Sequence, residues 1–368
     1  MTKYDYLIVG AGLSGSICAY ELTKAGYTCL VIDKRKHIGG NIYTEKRENI
    51  DIHKYGPHIF HTNDKKIWDY INQFDNFNNF INSPIANYKG EIYNLPFNMN
   101  TFAKIWDVTT PDAAKEAIQA EIKDLNIEEP KNLEEQALSM VGRTIYEKLV
   151  KGYTEKQWGT TCDKLPVDII KRLPLRFTYD NNYFNDKYQG IPEHGYTYII
   201  QQMLQNVDIL LNTDGKTFIN THPDIAEHII YTGSIDEYYD YCYGVLDYRS
   251  LLFVETIVEK DNYQGNAVIN YTDAAIHYTR VIEHKFFNYK KTKNTIITYE
   301  YPIEWDISKE RYYSINNNKN NALYKRYKEL NKNTDNIIFC GRLGTYQYLD
   351  MDKVIKQTLN LTQDIIRG

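Results

Sequence analysis

"YLIVGAGLSGSICAYELTKAGYTCLVIDKR", residues 6–35, spells out a βαβ unit with every element in order. The apolar run Tyr6 to Val9 predicts a strand, Gly10, Gly12 and Gly15 a tight turn, and the following residues a helix that Gly26 stops. A second apolar run then ends at Asp33. Glycines at this spacing let the backbone turn sharply and approach a pyrophosphate, which sits on the helix N-terminus where free N–H groups and the dipole favour negative charge. Asp33 is placed to accept hydrogen bonds from a ribose. A bare glycine turn could close without any ligand. The flanking strand, helix and acid favour dinucleotide binding, with Gly10, Gly12, Leu13, Ser14, Gly15, Asp33 and Lys34 as the contact set.

The next residues bear on which dinucleotide. "KRKHIGGN", residues 34–41, carries the pair Gly39-Gly40 ahead of Asn41, and an acid followed by such a pair resembles the extended fingerprint of FAD proteins of the glutathione-reductase type. No second GxGxxG follows, so FAD is favoured over NAD. At the far end, "NIIFCGRLGTYQYLDMDKVIKQTLN", residues 336–360, reads as a buried strand, a glycine-bracketed loop and a helix starting near Asp350 or Asp352. Such a helix would aim its positive end at an anionic reduced flavin. Either aspartate alone also reads as a helix cap.

The chain's 368 residues exceed one compact core, so two or three units sharing a cleft are expected. A net charge of -5 with interspersed signs gives no basic stripe for nucleic acid. No apolar stretch approaches the roughly 18 residues of a membrane span, and Met1 leads into a strand pattern rather than a signal peptide. The reading is a cytoplasmic protein without a membrane span. Five cysteines without a CxxC pair read as free buried thiols. The 34 tyrosines read chiefly as packing residues unless a motif claims them.

Residues 101–150 show helical periodicity, with Asp112 and Asn132 as candidate caps, while 241–316 holds short Tyr-, Val- and Ile-rich runs suggesting an antiparallel sheet. The fold class is α/β: a Rossmann-like FAD-binding core (1–76, 191–240 and 317–368), a helical domain (97–165) and an antiparallel-sheet domain (77–96, 166–190 and 241–316).

Three histidines crowd "HKYGPHIFHT", residues 53–62. The segment lacks HExxH spacing and leads into a helix expected near Asn63, so metal binding is the minor reading and no metal is assigned. "YGPHIFHTND" (55–64), "EEQAL" (134–138), "KGYTEKQWG" (151–159), "LPVDIIKRLPLRFTYDNNYFNDKYQGIPEHGYT" (165–197), "YTRVIEHKFF" (278–287) and "GRLGTYQYLDMD" (341–352) follow in this order. Together they closely resemble the bacterial UDP-galactopyranose mutase family, including the branch that also uses UDP-N-acetylgalactosamine, over essentially the whole chain.

That resemblance implies a redox-neutral exchange of UDP-galactopyranose and UDP-galactofuranose that needs reduced FAD, with flavin N5 as the nucleophile at the anomeric carbon. UDP leaves and returns. It further implies that Arg172 and Arg280 bind the diphosphate, and that Arg249 and Arg342 lie near phosphates and flavin. Tyr153, Tyr183, Tyr313 and Tyr348 fall to the substrate, as do Asn82, Thr154, Trp158 and Asn270, although core packing also accounts for Tyr183 and Trp158. His58, Ile59, His61, Asp350 and Met351 join Arg342 and Tyr348 at the flavin. The catalytic set is Arg172, Arg280, His61, Tyr348 and Asp350, and His53 is assigned to a preceding strand. A homodimer feeding cell-surface polysaccharide synthesis is implied.

Ser314, Leu149 and Gln347 depart from close bacterial members at the substrate pocket. Two rival readings are an FAD-dependent oxidase or dehydrogenase of a small amine or alcohol, and a silent nucleotide-binding protein. The first does not need the arginine set or the "KGYTEKQWG" block, and the second would bind a UDP-sugar without turnover under dithionite.

Overall fold

A computed structural model describes residues 4–170, 175–332, 334 and 336–368. The first strand, Tyr4–Val9, lies at the centre of a five-stranded parallel sheet, flanked by Cys29–Ile32 and Ala226–Tyr231, with Asp208–Leu210 and Ile337–Phe339 at the edges. Strands buried on both faces need apolar residues throughout, and Cys29–Ile32 is buried at every position. Helix Leu13–Lys24 covers one face, packed against Tyr196–Met203 and the C-terminal helix Met351–Arg367. Ile17, Leu22, Ile199, Ile200 and Ile355 fill that layer. A methyl group on Gly15 would overlap the Gly10 carbonyl, so the third glycine of the fingerprint is required by helix-to-turn packing.

The second sheet has seven strands, among them Tyr248–Val258, Thr295–Glu304, Arg280–Glu283, Val268–Tyr271 and the hairpin Ile85–Tyr88 with Glu91–Asn94. The expectation of an antiparallel sheet needs one correction. Val268–Tyr271 pairs in parallel with Ile85–Tyr88, because that hairpin enters from a distant part of the chain. The expected short runs also include two long strands, of eleven and ten residues. Residues 188–190 form a strand paired with Phe60–Thr62, outside this sheet.

The helical part comprises Met99–Trp106, Pro111–Ile122, Leu133–Ile145 and Gly152–Trp158, around a separate core that includes Phe102, Ile118, Leu138 and Ile145. Asn132 caps its helix through the Glu135 N–H, as expected. Asp112 does not cap. Thr110 accepts from the Ala113 N–H, with Pro111 taking the first helical position. Four cysteines are buried as expected, but Cys242 is exposed. Among the described residues no helix is long and apolar enough to cross a membrane.

Candidate active site

The dinucleotide turn is tied down by backbone bonds. Asp33 is buried, and its Oδ2 accepts from the Ala11 N–H at 2.8 Å while Oδ1 accepts from the Arg35 N–H at 2.8 Å. The acid assigned to a ribose therefore first locks the glycine turn to the loop after the second strand. Gly39 donates to the Ala11 carbonyl, and a methyl on Gly40 would stand 2.9 Å from the Gly12 Cα, so the glycine pair lies directly against the fingerprint turn. Asn41 Oδ1 accepts from Arg35, which also pairs with Glu310 at 2.9 Å, and Lys34 reaches the same carboxylate. Helix Leu13–Lys24 starts at Gly12 without a side-chain cap, leaving its first N–H groups to an anion.

The histidine segment resolves into three roles. His53 ends strand Ile50–His53, as assigned, and its Nδ1 accepts from the His58 N–H at 3.2 Å. The His53 N–H donates to His284 Nδ1, and His284 Nε2 meets Thr298 Oγ1 at 2.8 Å. An Nδ1 that accepts cannot carry a proton, so both rings are held in the neutral form protonated at Nε2. Burial, reinforced by the neighbouring histidines, pulls His53 well below the usual range. Burial with the nearby Lys54 and Arg47 charges takes His284 down to about 3. His58 is lowered to about 4, first by burial and then by Arg342, and its Nε2 is a buried atom with no hydrogen bond. His61 faces another way, with Nδ1 at 2.5 Å from Asp186 Oδ2 and its ring stacked on Phe184 at 3.7 Å. The helix expected near Asn63 starts at Lys65, capped by Asp64. Among the described residues no group of three or more His, Cys, Asp or Glu side chains could hold a metal.

Across the second sheet, strand register sets Asn270 opposite Arg280 and Arg280 opposite Glu300. Glu300 is fully buried; its Oε1 lies 2.9 Å from Arg280 Nε and 2.7 Å from Nη2. Burial works against the Arg280 charge, but Glu300 outweighs it and holds the guanidinium well above its usual value. Glu300 Oε2 and Asn270 Oδ1 are both buried without a partner. Arg280 Nη2 also approaches the Tyr313 hydroxyl at 3.5 Å, and the Tyr313 and Tyr348 rings lie 5.7 Å apart. Tyr153, Tyr183, Tyr313 and Tyr348 all stand within the field of Arg280. Burial raises all four phenols, Tyr153 to about 12, so they remain neutral hydrogen-bond donors.

The other assigned residues divide. Asn82 is buried, and its carbonyl accepts from the Tyr183 N–H at 2.7 Å. Thr154 and Trp158 lie on helix Gly152–Trp158, Trp158 packing partly against the helical core. Arg249 donates through Nε to the Gln157 carbonyl at 3.0 Å and through Nη2 to Lys156 at 3.4 Å, which puts it at that helix's carbonyl end. Arg342 lies on the short helix Gly341–Gly344 close enough to depress His58. Asp350 holds the N-cap position of Met351–Arg367 without capping through its side chain. Asp352 is buried against Thr62. Ile59 packs beside Phe80 and Phe287, and Met351 against the first core. Arg172 lies outside the described residues.

Sequence reasoning passed over Glu300, Asp186 and Arg176. Arg176 holds the Asn182 and Tyr183 carbonyls and so shapes the loop bearing Tyr183. Its place in the same quoted block as Arg172 was the available signal.

Comparison with known proteins gives this arrangement a family. Residues 148–348 match the family model described as UDP-galactopyranose mutase, and residues 8–74 match an NAD(P)-binding Rossmann-like domain. A probable UDP-galactopyranose mutase of Klebsiella pneumoniae is 40% identical over 100% of this chain and 96% of its own. A dTDP-fucopyranose mutase of Escherichia coli is 38% identical over 98% of both. A crystal structure of reduced UDP-galactopyranose mutase superposes with a TM-score of 0.76 at 13% identity, over 100% of this chain and 94% of that one, a likeness of fold. On the family match and the full-length identity, the chain belongs to the UDP-galactopyranose mutase family.

Proposed function

We propose that this protein interconverts UDP-galactopyranose and UDP-galactofuranose, with FAD bound in its reduced form. The observation that carries the reading is the row Asn270, Arg280 and Glu300, with four neutral tyrosines in the field of Arg280 and with His58 depressed by both Arg342 and Arg280. Permanent positive charge beside several uncharged donors suits a diphosphate that must be released and recaptured. The residues fit a flavin as well. The uncapped helix at Gly12 would take the pyrophosphate, Asp33 and Lys34 the adenosine end, and the orphaned His58 Nε2 offers a donor toward the ring system. When bound and reduced, FAD supplies a nucleophile, N5, for the anomeric carbon.

The chain's own residues do the rest. Arg280 holds the departing diphosphate, with Arg172 as a second cation and Tyr313 and Tyr348 as hydroxyl donors. Glu300 keeps the Arg280 fork aimed and charged. His61 positions through its bond to Asp186. The three-part division of the chain, a homodimer and a cytoplasmic location belong to the same proposal.

Purified protein incubated with UDP-galactose and with UDP-N-acetylgalactosamine, with and without dithionite, should give furanose product only when reduced. The identity to the Escherichia coli relative favours a second reading, a dTDP-6-deoxy sugar, so dTDP-fucopyranose belongs in the same panel. Rapid oxygen consumption with a small amine or alcohol, and no furanose, would sink both in favour of an oxidase.

A further inference from the structure

Helix Gly152–Trp158 carries Tyr153, Thr154 and Trp158, and the turn 272–279 joins the strands bearing Asn270 and Arg280. One side chain connects them. Lys156 Nζ, on the helix, donates to four carbonyls of the turn and its flanks: Tyr271 at 2.7 Å, Asp273 at 2.9 Å, Ile276 at 2.8 Å and Tyr278 at 3.1 Å. An ammonium has three protons and no lone pair, so it can be shared among four oxygens, whereas a neutral amine would turn a lone pair toward them. Burial drives the Lys156 ammonium down to about 8, with Asp273 opposing the shift.

Gly152 makes an independent contact to the same turn. A methyl there would overlap the Thr272 carbonyl oxygen and stand 3.0 Å from the Ala274 nitrogen. A glycine is therefore needed for helix and turn to touch. At its base the turn is bonded to the rest of the sheet: the Thr279 N–H donates to the Glu300 carbonyl and Thr279 Oγ1 lies 3.3 Å from Glu300 Oε1. A shift of the turn would reach Asn270, Arg280 and Glu300 together.

We propose that Lys156 is a positioning residue that sets the span between the nucleotide-side helix and the Asn270–Arg280–Glu300 row by clamping turn 272–279 through its carbonyls. The proposal deepens the nucleotide-sugar reading and rests on it. Lys156 touches no reacting atom and acts through Tyr153 and Arg280.

The test uses flavin-loaded protein, with UDP as the probe in calorimetric titration and hydrogen exchange as the local readout. Lys156→Met should weaken UDP binding roughly tenfold and raise KM, since a displacement of about 1 Å costs up to a hundredfold in such sites. It should speed amide exchange within 272–279 while flavin content and exchange in the first strand stay at wild-type levels. Gly152→Ala, which opens the same contact without touching a charge, should reproduce the pattern. Unchanged UDP affinity in both variants overturns the proposal, as does loss of flavin and of global protection, which would make Lys156 a folding residue. If wild-type protein fails to bind UDP, the nucleotide-sugar reading falls, and the exchange data still decide whether the clamp exists.

Discussion

Lowering the pH from 7.5 to 5.0 should destabilise this protein through its buried histidines, and His284 allows the effect to be isolated. Its folded value of about 3 lies below the unfolded value of about 6.5, so the neutral ring is favoured on folding. The associated stability is whole above pH 6.5 and is lost as pH falls from there toward 3. At pH 5.0 an unfolded histidine is almost fully protonated while His284 is not, a difference of about 1.5 pH units or roughly 2 kcal/mol. The His53 N–H bond to Nδ1 gives the reason in atoms, because a proton added there breaks it. His284→Asn keeps an acceptor for that N–H, loses the contact to Thr298 and cannot titrate. We expect the variant to be less stable at pH 7.5 by about 1 to 3 kcal/mol. It should also lose about 2 kcal/mol less than wild type on acidification. Urea titration of flavin-loaded protein at both pH values, followed by fluorescence, measures this. Parallel acid losses in wild type and variant would refute the reasoning.

Arg280→Ala should weaken UDP binding by about 1.5 to 3 kcal/mol and also destabilise the fold by about 3 to 5 kcal/mol, since it strands the Glu300 charge. Adding Glu300→Gln should restore melting temperature and leave UDP binding poor; no recovery of melting would mean the pair is not what holds that row. Gly15→Ala should abolish flavin retention, read as the visible-to-ultraviolet absorbance ratio, because the methyl meets the Gly10 carbonyl. Flavin retained at full stoichiometry would contradict that packing. His61→Ala and Asp186→Asn should both slow turnover and shift the flavin spectrum with an unaltered pH profile. The disappearance of one pH limb would instead make His61 a general base.

The parts of the molecule written locally were the parts readable in the sequence. The βαβ unit, its glycines and the cap at Asn132 depend on neighbours within a few residues, and each stands where the sequence put it. Asp112 reads as a cap by residue type, but Pro111 marks the first helical position and so points to Thr110, a local signal in the sequence itself. Glu300 could not be singled out, because its partner lies 20 residues away on a neighbouring strand and its importance follows from register. The parallel pairing of Ile85–Tyr88 was hidden for the same reason. Arg249 shows the converse. Its residue type suits a phosphate, yet the helix end it meets is joined to it only by tertiary folding.

The order of strands in the five-stranded sheet bears on how the protein is made. Tyr4–Val9 leaves the ribosome before the other strands of its sheet, yet one of its neighbours is Ala226–Tyr231, and the edge beyond that waits for Ile337–Phe339. Helix Leu13–Lys24 likewise waits for Met351–Arg367 before its apolar face is covered. For most of translation the nascent chain therefore carries a sticky, half-built nucleotide cradle, while the helical core, whose buried members run from Ala86 to Ile170, can condense early. Chaperone demand should concentrate on the amino-terminal segment. Expression of the cradle as an excised fragment should yield aggregates, whereas a stop codon after residue 330 should leave the helical core protected from protease and the first sheet exposed.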